Sequence, residues 1–356
     1  MRQAPSPCAA AARTSDGAGD SGRSALRVAA FTGGRTAPSA RFRIRQYIEP
    51  LARLGVTLDE RASRLGAYPP RNRALRPAWL AGVLAERLSQ IVASRTADVV
   101  LLQRELVSTL PTLEGWTRRP RIVDVDDSIH LHRGGRAARR LAELADLVIV
   151  GNDWLAEIWR GWNRQVEILP TAVDTERHRP MPPPERPTIG WLGSSDNLRY
   201  LEVIAPALVH VVTRFPLVEI AVCCDRRPRL SGVAYRYVPW SPAAEGRFLS
   251  SIGIGVMPLA DGPWERGKCS FKMLQYMAAG RPCVVSPVGM NGELLRQAAL
   301  GCPATTLNEW SEALSSLIAD RDAAERLGAA GRALAVARYS VRALTPRLAE
   351  LLRRVV

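Results

Sequence analysis

Residues 252–286 read IGIGVMPLADGPWERGKCSFKMLQYMAAGRPCVVS, and this stretch decides the fold. The apolar run at residues 252–259 predicts a buried strand, and residues 260–267 form a polar loop. Apolar residues then recur at helical spacing until the glycine and proline of residues 280–282, which predict the end of an amphipathic helix. Residues 283–286 are apolar again and predict the next strand. This order of elements is typical of a parallel α/β sheet.

The loop and helix contain the two lysines of the chain, Lys268 and Lys272, among 49 basic residues. Elsewhere the sequence uses arginine, so two lysines four positions apart indicate a site where the bulkier guanidinium would not serve. Compact ammonium groups between the carboxyl end of a parallel strand and a helix N-terminus predict a phosphate site. The alternative is the chance survival of two lysines on a solvated surface.

The segment KCSFKMLQYMAAGRP at residues 268–282, followed by SPVGMN, closely resembles the donor-site segment of GT-B glycosyltransferases of the family 4 type, the glycosyl transferases group 1. Four further segments occur in the order that this family has: VDVDD at 123–127, ADLVIVGN at 145–152, LPTAVD at 169–174 and IGWLGS at 189–194. The resemblance covers nearly the whole chain. It implies an α/β protein of the GT-B fold, with two Rossmann-like domains facing each other across a cleft and a C-terminal helix crossing back.

A chain of 356 residues is long enough for two such domains. Its first residues are rich in Ala, Ser, Gly and Arg and lack the apolar core of a secretory signal. We therefore expect the following organisation: a disordered leader at 1–25, an N-terminal acceptor domain at 26–175, a proline-rich linker at 176–187, a C-terminal nucleotide-sugar donor domain at 188–339 and a crossing helix at 340–356.

Composition narrows the class of protein. The net charge of +15 suggests nucleic-acid binding as one function. The sequence has no RNP pattern, zinc finger or clear helix-turn-helix, however, so we expect no specific nucleic-acid partner. The basic helix predicted around residues 71–95 carries an apolar stripe that can face an anionic membrane or, as we favour, the domain core. Six cysteines without zinc spacing fit a cytoplasmic protein, peripheral at the inner membrane face if the helix binds lipid.

Candidate residues on the acceptor side come from the first half of the chain. Gly33 and Gly34 follow the first predicted strand, where glycine lets a ligand approach the backbone closely. Arg41 and Arg45 are predicted to share one face of the next helix. The resemblance places this segment beside the cleft, where it would meet an acceptor or the diphosphate; a solvated face is the alternative.

Asp126 and Asp127 end a buried strand, and His130 follows them. Acids in this position can bind Mg²⁺, act as a base or cap a helix. In GT-B relatives the corresponding strand end faces the reactive end of the sugar donor. The resemblance therefore makes Asp126 and Asp127 catalytic candidates, places His130 on the acceptor side, and implies no bound metal.

The resemblance also assigns the donor side. Lys268 is expected to stabilise the departing diphosphate as a catalytic residue, with Lys272 second. The glycine and serines after the strand at 189–192 predict a backbone nest for phosphate. The expected donor-binding set is Gly193, Ser194, Ser195, Lys268, Ser270, Lys272 and Gln275.

Three positions depart from the family pattern. The family usually has a basic residue where this chain has Ser194, and an EX7E pair of glutamates where it has Gly267 and Gln275. An amide can still bind ribose hydroxyls, although without charge assistance. Glu265 is the candidate to replace the first glutamate.

The predicted function is transfer of a sugar from a nucleotide-diphosphate sugar to a hydroxyl of a glycan, a lipid-linked molecule or a small molecule. We expect it to proceed with retention and without a metal; the nucleotide sugar is a substrate, so no cofactor is expected. The missing glutamates leave open a non-catalytic GT-B-like protein that binds a nucleotide or glycan. An epimerase is disfavoured because the chain lacks a Tyr-x-x-x-Lys pair.

Overall fold

The computed structural model describes residues 25–66 and 68–356. The leader expected at residues 1–25 lies, except for its last residue, outside this part of the chain. Within the described residues, two parallel sheets follow one another along the sequence, each flanked by helices. No helix in these ranges is long and apolar enough to cross a membrane.

The first sheet is formed by residues 26–168. Its strands are β1 (Leu26–Thr32), β2 (Val56–Ala62), β3 (Val99–Gln103), β4 (Arg121–Val125), β5 (Leu147–Val150) and β6 (Val166–Ile168). They pair in the order β2-β1-β3-β4-β5-β6, all parallel. The α-helices of this half are α1 (Pro38–Arg43), α2 (Ile48–Ala52), α3 (Arg76–Ala93), α4 (Arg136–Leu144) and α5 (Asp153–Arg160).

The second sheet is formed by residues 188–303. Its strands are β7 (Thr188–Leu192), β8 (Glu219–Cys224), β9 (Tyr235–Pro239), β10 (Ile254–Met257), β11 (Cys283–Val285) and β12 (Gly301–Pro303). They pair in the parallel order β12-β11-β10-β7-β8-β9. The α-helices that follow β7 are α6 (Leu198–Val203), α7 (Ala205–Arg214), α8 (Pro242–Ser250), α9 (Pro263–Arg266), α10 (Phe271–Ala278), α11 (Met290–Gln297), α12 (Leu307–Ala319), α13 (Arg321–Leu334) and α14 (Val341–Arg353).

Each sheet buries apolar side chains on both faces, as expected for parallel strands covered by helices. The last helix, α14, returns to the first domain, where Leu348, Leu351 and Leu352 pack in the same apolar cluster as Val28 of β1. The two parallel sheets and the returning helix confirm the GT-B architecture that the sequence predicts.

Helix α3 places part of its apolar stripe in the core, as favoured from the sequence: Val83 and Ile91 are buried. Arg87 on the same helix is fully buried and does not face solvent. Its guanidinium donates to the carbonyl oxygens of Thr32 at 2.7 Å, Arg61 at 3.0 Å and Leu106 at 3.2 Å. One arginine thus satisfies carbonyl groups where β1, β2 and β3 end, which fixes the loops at the edge of the cleft.

The strand orders locate the cleft. In the first sheet the chain reverses its direction of winding between β1 and β3, and in the second sheet it does so between β7 and β10. Ligands of open α/β sheets bind at the carboxyl ends of the strands at such a switch point. Residues Gly33 and Arg104 follow the switch strands of the first sheet, while Gly193 and the lysine-containing loop follow those of the second.

One predicted relationship is wrong. Arg41 and Arg45 do not share a helical face, because α1 ends at Arg43 and Ile44 leaves the helical conformation with φ −122°. Arg45 belongs to a separate 3₁₀ turn and donates to the carbonyl oxygen of Gly34 at 2.7 Å and to the Glu60 carboxylate at 2.7 Å. Its side chain therefore braces the loop after β1.

Candidate active site

The loop between β10 and α10 turns sharply just before the helix. Ser270 adopts the left-handed conformation with φ +50°, which L-residues seldom adopt. Its hydroxyl donates to the Asn291 Oδ1 at 2.6 Å, and both side chains are buried. This hydrogen bond holds the turn in place, so Lys268 and Lys272 lie on either side of a fixed bend. Ser270 supports the bend; its predicted contact with the donor stays a prediction.

The Lys272 side chain lies next to the carboxyl end of β7 in the second sheet. Its Nζ lies 5.7 Å from the centroid of the Trp191 ring, and a β-carbon placed on Gly193 would lie 2.6 Å from Lys272 Cε. Burial, followed by the nearby Lys268 ammonium, lowers the pKa of Lys272 to about 7, while the Asp127 carboxylate opposes this shift. Because the Lys268 charge disfavours the charged form of Lys272, an anion bound by both lysines would stabilise both ammonium groups. The geometry therefore fits the predicted phosphate site.

Lys268 is partly buried, and its Nζ lies 5.6 Å from the centroid of the Trp264 ring. The backbone around it is held by the first domain. The Asn152 side-chain amide donates to the carbonyl oxygens of Arg266 at 3.3 Å and Lys268 at 3.2 Å. The thiol of Cys269 donates to the Asp126 carbonyl oxygen at 3.2 Å. The lysine loop is thus positioned by residues from both domains.

Asp126 and Asp127 follow β4 on the opposite side of the cleft. Burial, and next the Asp127 charge, raise the pKa of Asp126 to about 6. Its Oδ1 is buried without a hydrogen-bond partner among the described residues. A buried, unpartnered carboxyl oxygen beside a cleft is a candidate to bind a substrate hydroxyl.

Arg104 lies next to this acidic pair. The sequence analysis did not identify it as a site residue. Its guanidinium lies 3.7 Å from the Asp127 carboxylate, and its backbone is left-handed with φ +67°. The signal was its position immediately after β3, but the sequence alone does not show that β3 borders the switch point. Asp124, in contrast, is removed from the cleft by a buried bidentate pair with Arg43.

His130 lies in the 3₁₀ segment after β4. Burial, followed by the charge of His132, lowers its pKa, and its Nδ1 has no partner among the described residues. A neutral imidazole can both donate and accept a hydrogen bond. Its acceptor-side role stays a prediction.

Part of the backbone nest predicted after β7 is engaged within the protein. The Gly193 N–H donates to the Cys223 carbonyl oxygen at 3.1 Å, as part of the sheet. The Ser195 N–H and hydroxyl donate to the Asp225 carboxylate at 2.6 and 2.8 Å. Ser194 is exposed, and its hydroxyl accepts from the Asn197 amide at 2.8 Å. The Asp225 carboxylate occupies the Ser195 donors that the sequence analysis assigned to a phosphate, so Ser195 contributes to a donor site only after Asp225 moves; the donor contacts of Gly193 and Ser194 stay predictions.

The departures from the EX7E pattern have a structural correlate. A β-carbon on Gly267 would lie 2.0 Å from the Ser128 Oγ and 3.1 Å from the Ser128 backbone nitrogen, so the first glutamate of the pair fits here only if Ser128 shifts. Gln275 is buried, and its amide nitrogen has no partner among the described residues. Glu265, the proposed replacement, is buried and accepts a hydrogen bond from the Tyr200 hydroxyl. Its carboxylate is therefore already engaged inside the second domain.

Arg41 joins the two domains. Its guanidinium donates to both oxygens of the Glu245 carboxylate, at 2.6 and 3.1 Å, and that carboxylate is buried. Next to it, the rings of Phe42 and Phe271 lie 3.6 Å apart between their centroids. The Arg41 side chain, which was predicted to meet an acceptor or the diphosphate, is thus engaged in an ion pair between the two domains. Gly33 and Gly34 lie at its edge, and their contacts with a substrate stay predictions.

A cavity of about 570 Å³ opens beside the catalytic candidates. Its wall is mostly from the first domain, and Asp196 and Trp264 complete it from the second. Asp127 and Arg104 form part of the wall, so the cavity reaches the acidic pair. The five acceptor-side residues predicted from the sequence do not belong to this lining.

Residues 186–320 match the family model described as glycosyl transferases group 1. No protein of curated function matches the sequence. Among solved structures, the sucrose-phosphate synthase of Thermosynechococcus elongatus superposes with a TM-score of 0.70 at 17% identity, covering 92% of this chain and 98% of that one. Anabaena HepE, solved with UDP-glucose, gives a TM-score of 0.70 at 15% identity over 92% of this chain and 100% of that one. WaaG, a glycosyltransferase involved in lipopolysaccharide biosynthesis, gives 0.65 at 12% identity over 91% and 99%.

The structural likenesses establish the fold, and the family match lies on the domain that contains both lysines. Assignment to family 4 within the group stays a prediction. The chain has the GT-B fold, and its residues 186–320 are similar to the glycosyl transferases group 1.

Proposed function

We propose that the protein transfers a sugar from a nucleotide-diphosphate sugar to an acceptor hydroxyl, with retention of the anomeric configuration and without a metal or other cofactor. The observation that carries this proposal is the convergence of Lys268 and Lys272 at the β7/β10 switch point, with Asp126 and Asp127 across the cleft. The acceptor is a glycan, a lipid-linked molecule or a small molecule.

The lysines would act on the leaving group. Negative charge builds on the β-phosphate oxygen as the glycosidic bond breaks, and fixed cations lower the barrier most when they are aimed at that oxygen. In the unliganded protein the pKa of Lys272 is low because its ammonium is buried beside Lys268. A bound diphosphate would raise this pKa and keep both lysines charged. Their charge is also what supports a reaction without a divalent cation.

The acidic pair would act at the sugar end. Asp126 presents a buried carboxyl oxygen without a partner among the described residues, which can bind a sugar hydroxyl. Asp127 is held by Arg104 and has the longer-range effect of favouring the charged form of Lys272. We assign no carboxylate nucleophile, and retention rests on the resemblance to the family.

A thermal-shift panel with UDP, GDP, dTDP, ADP and CMP tests the proposal. A ligand that binds the native state alone raises the melting temperature by mass action. HepE was solved with UDP-glucose, which makes UDP the first nucleotide to test. We expect one nucleoside diphosphate to stabilise the wild type and to lose this effect in Lys268→Ala and Lys272→Ala.

Arg266→Ala is the matched control. Arg266 is exposed, lies two residues before Lys268 and pairs with Asp261, so the variant removes a neighbouring positive charge outside the proposed phosphate site. It should keep the nucleotide shift. A folded wild type that responds to none of the nucleotides would refute the proposed function.

A non-catalytic nucleotide-binding protein is the second candidate. The observation that favours it is the close contact between Gly267 and Ser128, which crowds a side chain at position 267, together with the amide at Gln275. Incubation with the sugar form of the nucleotide that binds separates the two: slow release of free sugar or transfer to an acceptor supports the enzyme. Binding without any turnover supports the second candidate.

A further inference from the structure

The cavity beside the acidic pair is lined by both basic and aromatic side chains. The basic ones are Arg76, Arg104, His132 and Arg133, and the aromatic ones include Tyr68, Trp79 and Trp264. Its volume of about 570 Å³ is within the range that encloses a ligand of one or a few rings. Aromatic faces are suited to the apolar faces of sugar rings, whereas several cations favour an anion.

The charge of this cavity is only partly balanced. The acids of its lining are Asp127 and Asp196, and Arg104 already faces Asp127 at 3.7 Å. Arg76 and Arg133 are at its exposed rim and have no carboxylate partner among the described residues. The Arg76 Nε donates to the Pro70 carbonyl oxygen, and the Arg133 Nε donates to the Thr109 hydroxyl, both at 3.1 Å. The terminal nitrogens of both guanidinium groups have no partner there.

Trp264 links the cavity to the donor site. Its ring lies 5.6 Å from Lys268 Nζ and 5.1 Å from the His132 ring, measured between ring centroids in the second case. The same ring forms part of the cavity wall. A molecule in the cavity therefore lies one indole ring away from the lysine proposed to stabilise the diphosphate. An acceptor bound in the cavity would therefore lie beside the proposed donor site.

We infer that the acceptor of this enzyme carries a phosphate, which the free guanidinium nitrogens of Arg76 and Arg133 bind while its sugar occupies the cavity. This inference rests on the proposed function. Arg76 of α3 and Arg133 of the 3₁₀ segment after β4 line the same cavity, and each guanidinium can donate from its terminal nitrogens to a phosphate bound there. The phosphate belongs either to a soluble sugar phosphate or to a lipid headgroup.

Calorimetric titration with glucose 6-phosphate and with glucose compares the affinities of the same sugar ring with and without a phosphate. Saturating UDP is present in one series, so that the probe is kept from the lysines. Arg76→Gln and Arg133→Gln are the test variants. Arg73→Gln is the control because Arg73 is exposed on the adjacent turn and does not belong to the cavity lining.

The expected result is that glucose 6-phosphate binds about tenfold or more tightly than glucose, and that either test variant removes about this advantage. The control variant should retain it. Equal affinity for the two sugars would exclude a soluble sugar phosphate as the ligand, and an equal loss in Arg73→Gln would mean that the advantage does not come from Arg76 and Arg133.

Vesicles separate the two sources of phosphate. Co-sedimentation with phosphatidylglycerol in phosphatidylcholine, compared with phosphatidylcholine alone, tests the lipid headgroup. Binding that requires phosphatidylglycerol and is weakened by the test variants alone identifies a lipid phosphate even where glucose 6-phosphate does not bind. Binding of neither probe overturns the inference. UDP binding tests the donor site separately from the cavity. It should be lost in Lys272→Ala and kept in Arg76→Gln, so failure of the proposed function can be told apart from failure of this inference.

Discussion

Lys272 passes so close to Gly193 that a β-carbon on the glycine would lie 2.6 Å from Lys272 Cε. The same β-carbon would lie 2.7 Å from the Trp191 ring. Because Gly193 has no side chain, the Lys272 side chain can occupy the space next to it. We expect Gly193→Ala to displace Lys272 and to raise the dissociation constant of the nucleoside diphosphate about tenfold, or about 1.4 kcal/mol. Titration calorimetry measures this directly.

Gly246→Ala is the control for this substitution. Gly246 lies inside α8, and an added β-carbon there meets open space. The variant should bind nucleotide normally and gain about 0.5–1 kcal/mol of stability, since alanine favours the helix. Normal nucleotide binding by Gly193→Ala would show that Lys272 does not need its observed path.

Nucleotide binding should depend on pH through Lys272. Its pKa is lowered to about 7 in the unliganded protein, and a diphosphate favours the charged form. Above pH 7 the protein must therefore take up a proton to bind, and the dissociation constant should rise by up to about tenfold per pH unit. Calorimetry at pH 8 in buffers of different ionisation enthalpy detects this proton.

The variant Lys272→Met separates the lysine from the ionisation of the nucleotide itself. It should bind more weakly and take up no proton at pH 8. Proton uptake that persists in this variant would assign the titration to another group and contradict the pKa inferred for Lys272.

The sequence predicts those features of the site that depend on neighbouring residues. Lys268 and Lys272 follow one strand and begin one helix, so local pattern suffices to place them. Arg104 could not be recognised, because its importance depends on β3 pairing with β1, a property of the sheet order. Ser195 was assigned to phosphate because its partner Asp225, 30 residues away, has no local signal.

The same limit applies to Gly267. Its missing side chain is visible in the sequence, but the reason lies in Ser128 of the other domain. Contacts between domains depend on how two separately folded cores meet. Hydrophobic periodicity carries little information about this, which is why the fold was predicted more fully than the details of the cleft.

Restoring the family glutamate at Gly267 should therefore be harmful. Gly267 has φ −79°, which any residue adopts, so the penalty comes from the side chain alone. We expect Gly267→Glu to lower the free energy of unfolding by about 1–3 kcal/mol because its side chain collides with Ser128. Chemical denaturation measures the change. Combination with Ser128→Gly should recover most of the loss, whereas no recovery would place the clash elsewhere.

The ion pair of Arg41 and Glu245 should couple the two domains. The Glu245 carboxylate is 3% exposed, and Arg41 donates to both of its oxygens. His178 lies 3.7 Å away, but burial lowers its pKa and favours the neutral form, so it replaces the arginine poorly. Because Arg41 is 21% exposed, we expect Arg41→Ala to cost about 2–3 kcal/mol, below the range for a fully buried pair.

A double-mutant cycle of Arg41→Ala and Glu245→Gln tests this coupling. Removal of the charge from Glu245 should make loss of the arginine less harmful, with a coupling energy of about 1–3 kcal/mol. Arg53→Ala is the control, since its partner Glu49 is exposed and such pairs contribute little. A coupling energy near zero would mean that solvent or His178 satisfies Glu245 when Arg41 is absent. The domains would then be held by other contacts, such as the packing of Phe42 against Phe271.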